Sequence, residues 1–375
     1  MGKKRNAGEG SGDYHSSGGN DFGYGAYNMP EGGYGEPDGN YSYYSSANSG
    51  QNPGGYYNGG RQTGSGNANG SRGSGKSPRK KKKSRAGDVI SIIVMAAAFC
   101  VFIYAGYMLY GYYKEYQKVD EEYLNLATSY TADETETEDL DALEEAFEND
   151  SAAQVISGRE VRTVEVDDEE VSLPVMANPI DFESLKEVNS DIVGWLKIRA
   201  LDLSYPVVQG EDNDYYLHRS FEQEDLFAGC LFMHYENKSD YTDQNTIIYG
   251  HNMKNGSMFG TLKKFRDEEV YETSKYFWIY TEDIIYQYRI FSARVVDKVG
   301  QTYQIVFSTD EFEEFLTTAI EESEVDNSTV SVTTDDKVVT LSTCTGDSAT
   351  RFVVQGKLVQ MYASLVEDEE EEVSP

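Results

Sequence analysis

The chain has 375 residues, with 65 Asp and Glu against 32 Lys and Arg and only 3 cysteines. The acidity is concentrated in residues 89–375, which carry 58 acidic against 20 basic side chains; this excludes a phosphate-tracking nucleic-acid binder there. Three cysteines, one of them in an apolar run, exclude a multi-disulfide scaffold.

Residues 1–78 are mostly Gly, Tyr, Ser and Asn with almost no aliphatic side chains, too little apolar surface to offset the entropy of ordering. A disordered tail is expected. Its tyrosines, in GGYGEP, YSYYSS and GGYYNG, resemble low-complexity segments that self-associate, and read equally as a neutral extension. A basic segment follows over 79–88, with six positive charges in the seven residues Arg79–Arg85. Residues 89–113 then carry no charge and are rich in Ile, Val, Ala, Phe and Tyr, enough to span a bilayer as a helix with some tilt. The run is too long and starts too far from Met1 for a cleaved signal peptide. The basic cluster predicts a cytoplasmic N-terminus and an outer C-terminal part. Tyr104, Tyr107, Tyr110, Tyr112 and Tyr113 form an aromatic belt at the outer end.

Residues 114–177 are dominated by Asp, Glu, Thr, Ser and Ala, and read as a self-repelling, extended extracellular stalk. Residues 178–366 are domain-sized, and 367–375 form a solvated acidic tail. Asp181 can cap a short helix carrying Phe182, Leu185 and Val188. Strand-like runs follow at 192–198, 205–208, 230–234, 246–249, 277–280, 284–296, 338–343 and 352–362. Two helices are expected between them: a short one through Met258, Phe259, Leu262 and Phe265, and a longer one through Phe312, Phe315, Leu316 and Ile320. The domain is therefore predicted to be mainly β, a barrel or sandwich with added helices.

Chemistry concentrates at strand ends. In TLSTCTGDSATR, Cys344 closes a strand and Arg351 opens the next, so a hairpin through Thr345–Thr350 sets them side by side. In IIYGHNMKNGSMFG, His251 stands in the same position after an apolar strand. A thiolate attacks carbonyl carbon, and an imidazolium protonates the leaving amine. A guanidinium nearby favours the thiolate and holds a developing oxyanion. Taken singly, each residue has an ordinary reading: a packing thiol, a loop histidine, a surface charge. Cys230, in AGCLFMHYEN, reads as a packing thiol, although pairing with Cys344 stays open. His234 is a competing base. Asp347 is more simply a turn residue than the third member of a triad. No metal-ligand spacing is present, and no cofactor is expected.

TLSTC with RFVVQGKLV, IIYGHNMKNGSMFG, IDFESLKEVNSDIVGWLKI and YPVVQGEDNDYYLHRSF together resemble the class B sortases over roughly 178–366, in the order expected of that family. The resemblance implies a sortase-type β-barrel and a membrane-anchored cysteine transpeptidase of Gram-positive bacteria. His251, Cys344 and Arg351 match the family's three catalytic positions. Ser342 and Thr343, just before the nucleophile, are expected substrate contacts. The implied partners are secreted proteins bearing a C-terminal sorting signal, cleaved through a thioacyl-enzyme, and a peptidoglycan precursor or other amine that accepts them. A pilin polymerase differs only in that amine. A Cys–His hydrolase and a catalytically silent signal-binding module are the other readings.

Overall fold

The structure is a computed structural model that describes residues 85–132 and 139–365. The tail over 1–78, the basic residues before 85 and the acidic end over 367–375 lie outside them. Helix α1 (Arg85–Tyr130) contains the apolar run and continues well past it. It is the one helix among the described residues long and apolar enough to cross a membrane. Every side chain from Val89 to Tyr113 is exposed, as a lipid-facing surface requires.

The extended stalk expected over 114–177 is replaced by ordered elements. After α1 come α2 (Leu140–Glu148), α3 (Ala152–Ile156), β1 (Val161–Val166) and β2 (Glu169–Ala177). Apolar residues are sparse here but correctly spaced: Val119, Tyr123 and Leu126 fall on one helical face and are buried, as are Leu140 and Leu143 in α2. The turn between β1 and β2 uses Asp167 and Asp168, both at positive φ (52° and 64°), the two-residue hairpin geometry that Asp tolerates.

The remaining elements are α4 (Phe182–Val188), β3 (Ile192–Ile198), β4 (Leu203–Val208), β5 (Leu231–Met233), β6 (Asn245–Tyr249), α5 (Glu268–Thr273), β7 (Tyr276–Tyr280), β8 (Ile284–Asp297), α6 (Thr309–Glu321), β9 (Val338–Cys344) and β10 (Thr350–Leu365). Asp181 caps α4 as expected, accepting from the Ser184 amide at 2.9 Å. Strands β10, β8, β7, β3, β4, β5, β6 and β9 pair in that order, and β9 pairs back onto β10. Eight strands thus close a barrel and leave no free edge among themselves. The hairpin β1–β2 is added where β2 runs parallel to the last residues of β10. Trp195, Trp278, Phe277 and Tyr288 fill the core.

The helix expected through Met258–Phe265 is instead a loop and a 3-10 turn over Leu262–Arg266. Gly256 (φ 90°) and Met258 (φ 50°) interrupt any helical run, yet Met258, Phe259, Leu262 and Phe265 are all buried. The longer helix is α6, started by a Ser308–Glu311 capping box and packed through Phe312, Phe315 and Leu316 on Phe291, Phe307 and Val338.

Carboxylates of α2 enter matched sockets on the barrel. Glu144 is buried and accepts from Ser274 (2.8 Å), Trp278 Nε1 (2.9 Å) and Arg199 (3.1 Å), while Asp141 also pairs with Arg199. Glu148 meets Arg289 at 3.1 Å and the Tyr276 hydroxyl at 2.7 Å. Removing one partner from such a network leaves donors uncompensated. Glu144→Ala is therefore expected to destabilise the protein by about 2–4 kcal/mol in urea unfolding, whereas a change below about 0.5 kcal/mol, the size typical of exposed sites, would show that α2 rests loosely on the barrel.

Candidate active site

Two strand pairings bring the sequence-predicted residues together. β6 and β9 are parallel, in a register that ends with Tyr249 opposite Ser342. The chains continue side by side for two more residues: the Gly250 amide donates to the Ser342 carbonyl (3.1 Å) and Asn252 Nδ2 donates to the Cys344 carbonyl (2.7 Å). His251 thus stands level with Cys344. β9 and β10 are antiparallel, with Arg351 directly opposite Cys344. Cys344 consequently lies between a histidine on one side and an arginine on the other, at one rim of the barrel.

Local sequence explains each placement. A Cβ on Gly250 would lie 2.5 Å from Leu231 and 2.7 Å from Phe259, so only glycine lets the chain turn out of β6 at that point. The loop Thr345–Thr350 closes with Gly346 at φ 99° and a Thr345–Thr350 hydroxyl contact of 2.6 Å. Cys344 is a partly exposed free thiol. Arg351 is largely buried; its Nη1 donates to the Thr350 carbonyl at 2.9 Å. The Nε and Nη2 groups of Arg351 form no hydrogen bond among the described residues.

His251 Nε2 lies 2.8 Å from the Leu217 carbonyl. A carbonyl only accepts, so the neutral ring carries its proton on Nε2 and leaves Nδ1 as the site that gains and gives a proton. Burial holds His251 below the ordinary histidine pKa; the Leu217 bond opposes this, and His218, stacked on it at 5.6 Å, adds to the depression.

Ser342 and Thr343 point to opposite faces, as strand neighbours must. The Ser342 hydroxyl meets that of Tyr303 at 2.9 Å, on the same strand face as Cys344. Thr343 corrects an expectation: it is buried and its hydroxyl donates to the Gly250 carbonyl at 2.7 Å. It braces β9 against the turn before His251, with its hydroxyl proton committed there. Asp347 accepts from the Ala349 amide at 2.8 Å, a local turn bond. His234 accepts the Glu236 amide at 3.2 Å, away from this rim. Cys230 is free and fully buried, not paired with Cys344, and burial pushes its thiol up to about 12.

Sequence reading missed four participants. Leu217 acts through its carbonyl, for which side-chain identity gives no signal. Tyr303 arrives from the connection between β8 and β9; burial pushes its hydroxyl up to about 12, opposed by the Ser342 bond and Arg351 and reinforced by Cys344. Asn252 and His218 lie inside the quoted motifs IIYGHNMKNGSMFG and YPVVQGEDNDYYLHRSF, and that placement was the available signal. Among the described residues no group of three or more His, Cys, Asp or Glu could hold a metal ion.

Comparison with known proteins places these features in one family. A sortase-domain family model matches residues 196–359. Sortase B of Listeria monocytogenes is 38% identical over 185 residues, 48% of this chain and 74% of that protein. Sortase B of Staphylococcus aureus is 35% identical over 184 residues, 48% of this chain and 75% of that protein. The X-ray structure of sortase B from Clostridium perfringens is 32% identical, aligned over 48% of this chain and 100% of that one with a TM-score of 0.46. Identity of this level across about three quarters of two curated relatives means that the chain belongs to the sortase family, class B, whose members are cysteine transpeptidases.

Proposed function

We propose that Cys344, His251 and Arg351 perform a two-step acyl transfer that cleaves a C-terminal sorting signal of secreted proteins and joins them to an amine of a cell-wall precursor. One observation carries this reading: the register that sets Cys344 level with His251 on one neighbour and Arg351 on the other.

In the first step the Cys344 thiolate attacks the scissile carbonyl carbon. The oxyanion that forms is held by the guanidinium of Arg351, a fixed charge in a largely buried setting where it acts strongly. The Sγ–C bond stays, the C–N bond breaks, and His251 delivers the Nδ1 proton to the leaving amine. Nε2, bonded to Leu217, keeps its proton throughout and fixes the ring. In the second step neutral His251 takes a proton from the incoming amine, which attacks the thioester. A new amide forms as the C–S bond breaks, and the Cys344 thiolate is regenerated beside the protonated His251. Ser342 and Tyr303 form a polar wall on the Cys344 side for the signal peptide. A free thiol flanked by a base and a cation argues against a silent binding module, which needs no nucleophile. The basic cluster before the apolar run supports a cytoplasmic N-terminus and an extracellular barrel.

The full-length protein in detergent, offered LPxTG-, NPxTN- and SPxTG-like peptides with and without an amine acceptor, tests the reading. Thiol-dependent cleavage is expected for one peptide class, with ligated product only when amine is present and no cleavage by Cys344→Ala. Cleavage that never yields ligated product would make the enzyme a hydrolase. Arg351→Lys keeps the charge but loses the planar fork, and is expected to lower kcat about 100-fold with little change in KM; retention of kcat would remove Arg351 from the oxyanion site.

The pH profile follows from His251. Its folded pKa is depressed, so the ring is neutral down to below about 6.5, the ordinary histidine value. The working pair, thiolate with imidazolium, declines once the pH falls through that depressed value. The acid limb of kcat/KM is therefore expected below pH 6.5; a limb above it would contradict the buried setting of His251. Stability moves in the same direction. Histidine released by unfolding binds its proton first, so His251's contribution is retained above about pH 6.5 and lost as pH falls from there through the folded value.

A further inference from the structure

Residues 116–126 of α1 grip both segments that hold His251. Toward the loop after β4, the buried Tyr123 hydroxyl donates to the Gly229 carbonyl at 2.7 Å, and Tyr116 packs edge-on against Phe227 at 5.1 Å. Gly229 is in turn pressed against the carbonyl that orients the catalytic ring. At φ 57°, a Cβ there would fall 2.5 Å from the Leu217 oxygen and 2.5 Å from that of Tyr216. The next residue, Cys230, donates its amide to the Tyr216 carbonyl at 3.1 Å. The Leu217 oxygen so positioned is the partner of His251 Nε2.

Toward the loop after β6, the Tyr123 ring meets Tyr205 edge-on at 5.1 Å. The Tyr205 hydroxyl accepts the Met258 amide at 3.3 Å. Met258 is bridged to Asn252, and the Phe259 amide donates to the His251 carbonyl at 3.0 Å. Asp120 adds a direct link, accepting from Asn255 at 3.0 Å. The turn Asp120–Tyr123 therefore reaches Gly229, which abuts the ring's hydrogen-bond acceptor, on one side and the ring's own loop on the other.

We infer that Tyr123 is a positioning residue for His251, and that this turn of α1 sets the tautomer and aim of the imidazole. The inference rests on the catalytic reading of His251 given above. Tyr123 touches neither substrate nor Cys344; it acts by fixing where the Leu217 carbonyl stands relative to Nε2. Its phenol suits the task because the hydroxyl engages the loop at Gly229 while the ring engages Tyr205 of β4, so that loosening one contact leaves the other. The buried Tyr123–Gly229 bond ties sequence positions more than a hundred residues apart, whereas the other bond from α1 to this segment, Lys118 to Glu224 at 3.1 Å, is exposed.

The test uses the full chain in detergent with 15N-labelled histidine, comparing the parent with Tyr123→Phe and Tyr205→Phe. Nitrogen shifts report which ring nitrogen of His251 carries the proton, without any substrate. The parent is expected in the Nε2–H form, and each variant in a mixture of tautomers. With the best-cleaved peptide of the panel and hydroxylamine as acceptor, kcat is expected to fall about five- to tenfold with KM unchanged, the rate equivalent of one net hydrogen bond. If Tyr123→Phe does not fold, Tyr205→Phe, which keeps the Tyr123 hydroxyl, carries the comparison alone. A parent-like Nε2–H tautomer overturns the inference whatever the rates do, because the loss then does not pass through His251. His251→Ala serves as the control on the catalytic reading. Should it turn over peptide at the parental rate, the role of His251 as base fails, while the tautomer measurement still decides whether Tyr123 positions the ring.

Discussion

The parallel pairing of β6 with β9 is the constraint on which the site depends. Side chains alternate along a strand, so a one-residue slip of β9 would turn Cys344 away from the rim and bring Thr343 there in its place. Several contacts hold the register: the Gly250 amide on the Ser342 carbonyl, the Thr343 hydroxyl on the Gly250 carbonyl, and Asn252 on the Cys344 carbonyl. Gly250 is required because neighbouring Leu231 and Phe259 leave no room for a side chain. Closure of the barrel by β9 on β10 then sets Arg351 across from the thiol. The three residues come from separate strand ends, and none can shift without breaking backbone pairing.

Burial separates the two cysteines of the barrel. Cys230 is fully buried, and desolvation is the largest influence raising its thiol pKa. Cys344 stands partly exposed beside a guanidinium fixed by backbone carbonyls. The chain's large negative charge is handled by a related device: the few basic residues Arg199 and Arg289 lie where α2 delivers Glu144 and Glu148. Excess acidity elsewhere remains in water, where repulsion is screened and solubility benefits.

The eight barrel strands were legible because each is a run rich in β-branched or aromatic residues, and their observed limits differ by a residue or a few. The placement of His251, Cys344 and Arg351 at strand ends was legible within motifs of one family. What the sequence concealed depends on partners far along the chain. Residues 114–177 read as repelling charge because Arg199, Lys275 and Arg289, which neutralise α2, are remote in sequence. Val119, Tyr123 and Leu126 are too few to announce a buried face, yet they suffice once a barrel wall is present. Thr343 and Leu217 show the limit at the site itself. A hydroxyl's direction and a carbonyl's neighbour are fixed only by the fold. A piece beginning at Asn178 would lose β2 from the end of β10 as well as the α1 turn beneath the His251 loops, and so would not represent the enzyme.

The central claim is that Cys344 carries the acyl group between its two bonds. It is tested most directly by acid-quenching the full-length enzyme with a cleavable sorting-signal peptide and no acceptor, then locating the adduct by peptide mass spectrometry. The account predicts the N-terminal part of the peptide as a hydroxylamine-labile thioester on the fragment containing Cys344. Peptide cleavage with the acyl group on another residue, or persisting in Cys344→Ala, would contradict it.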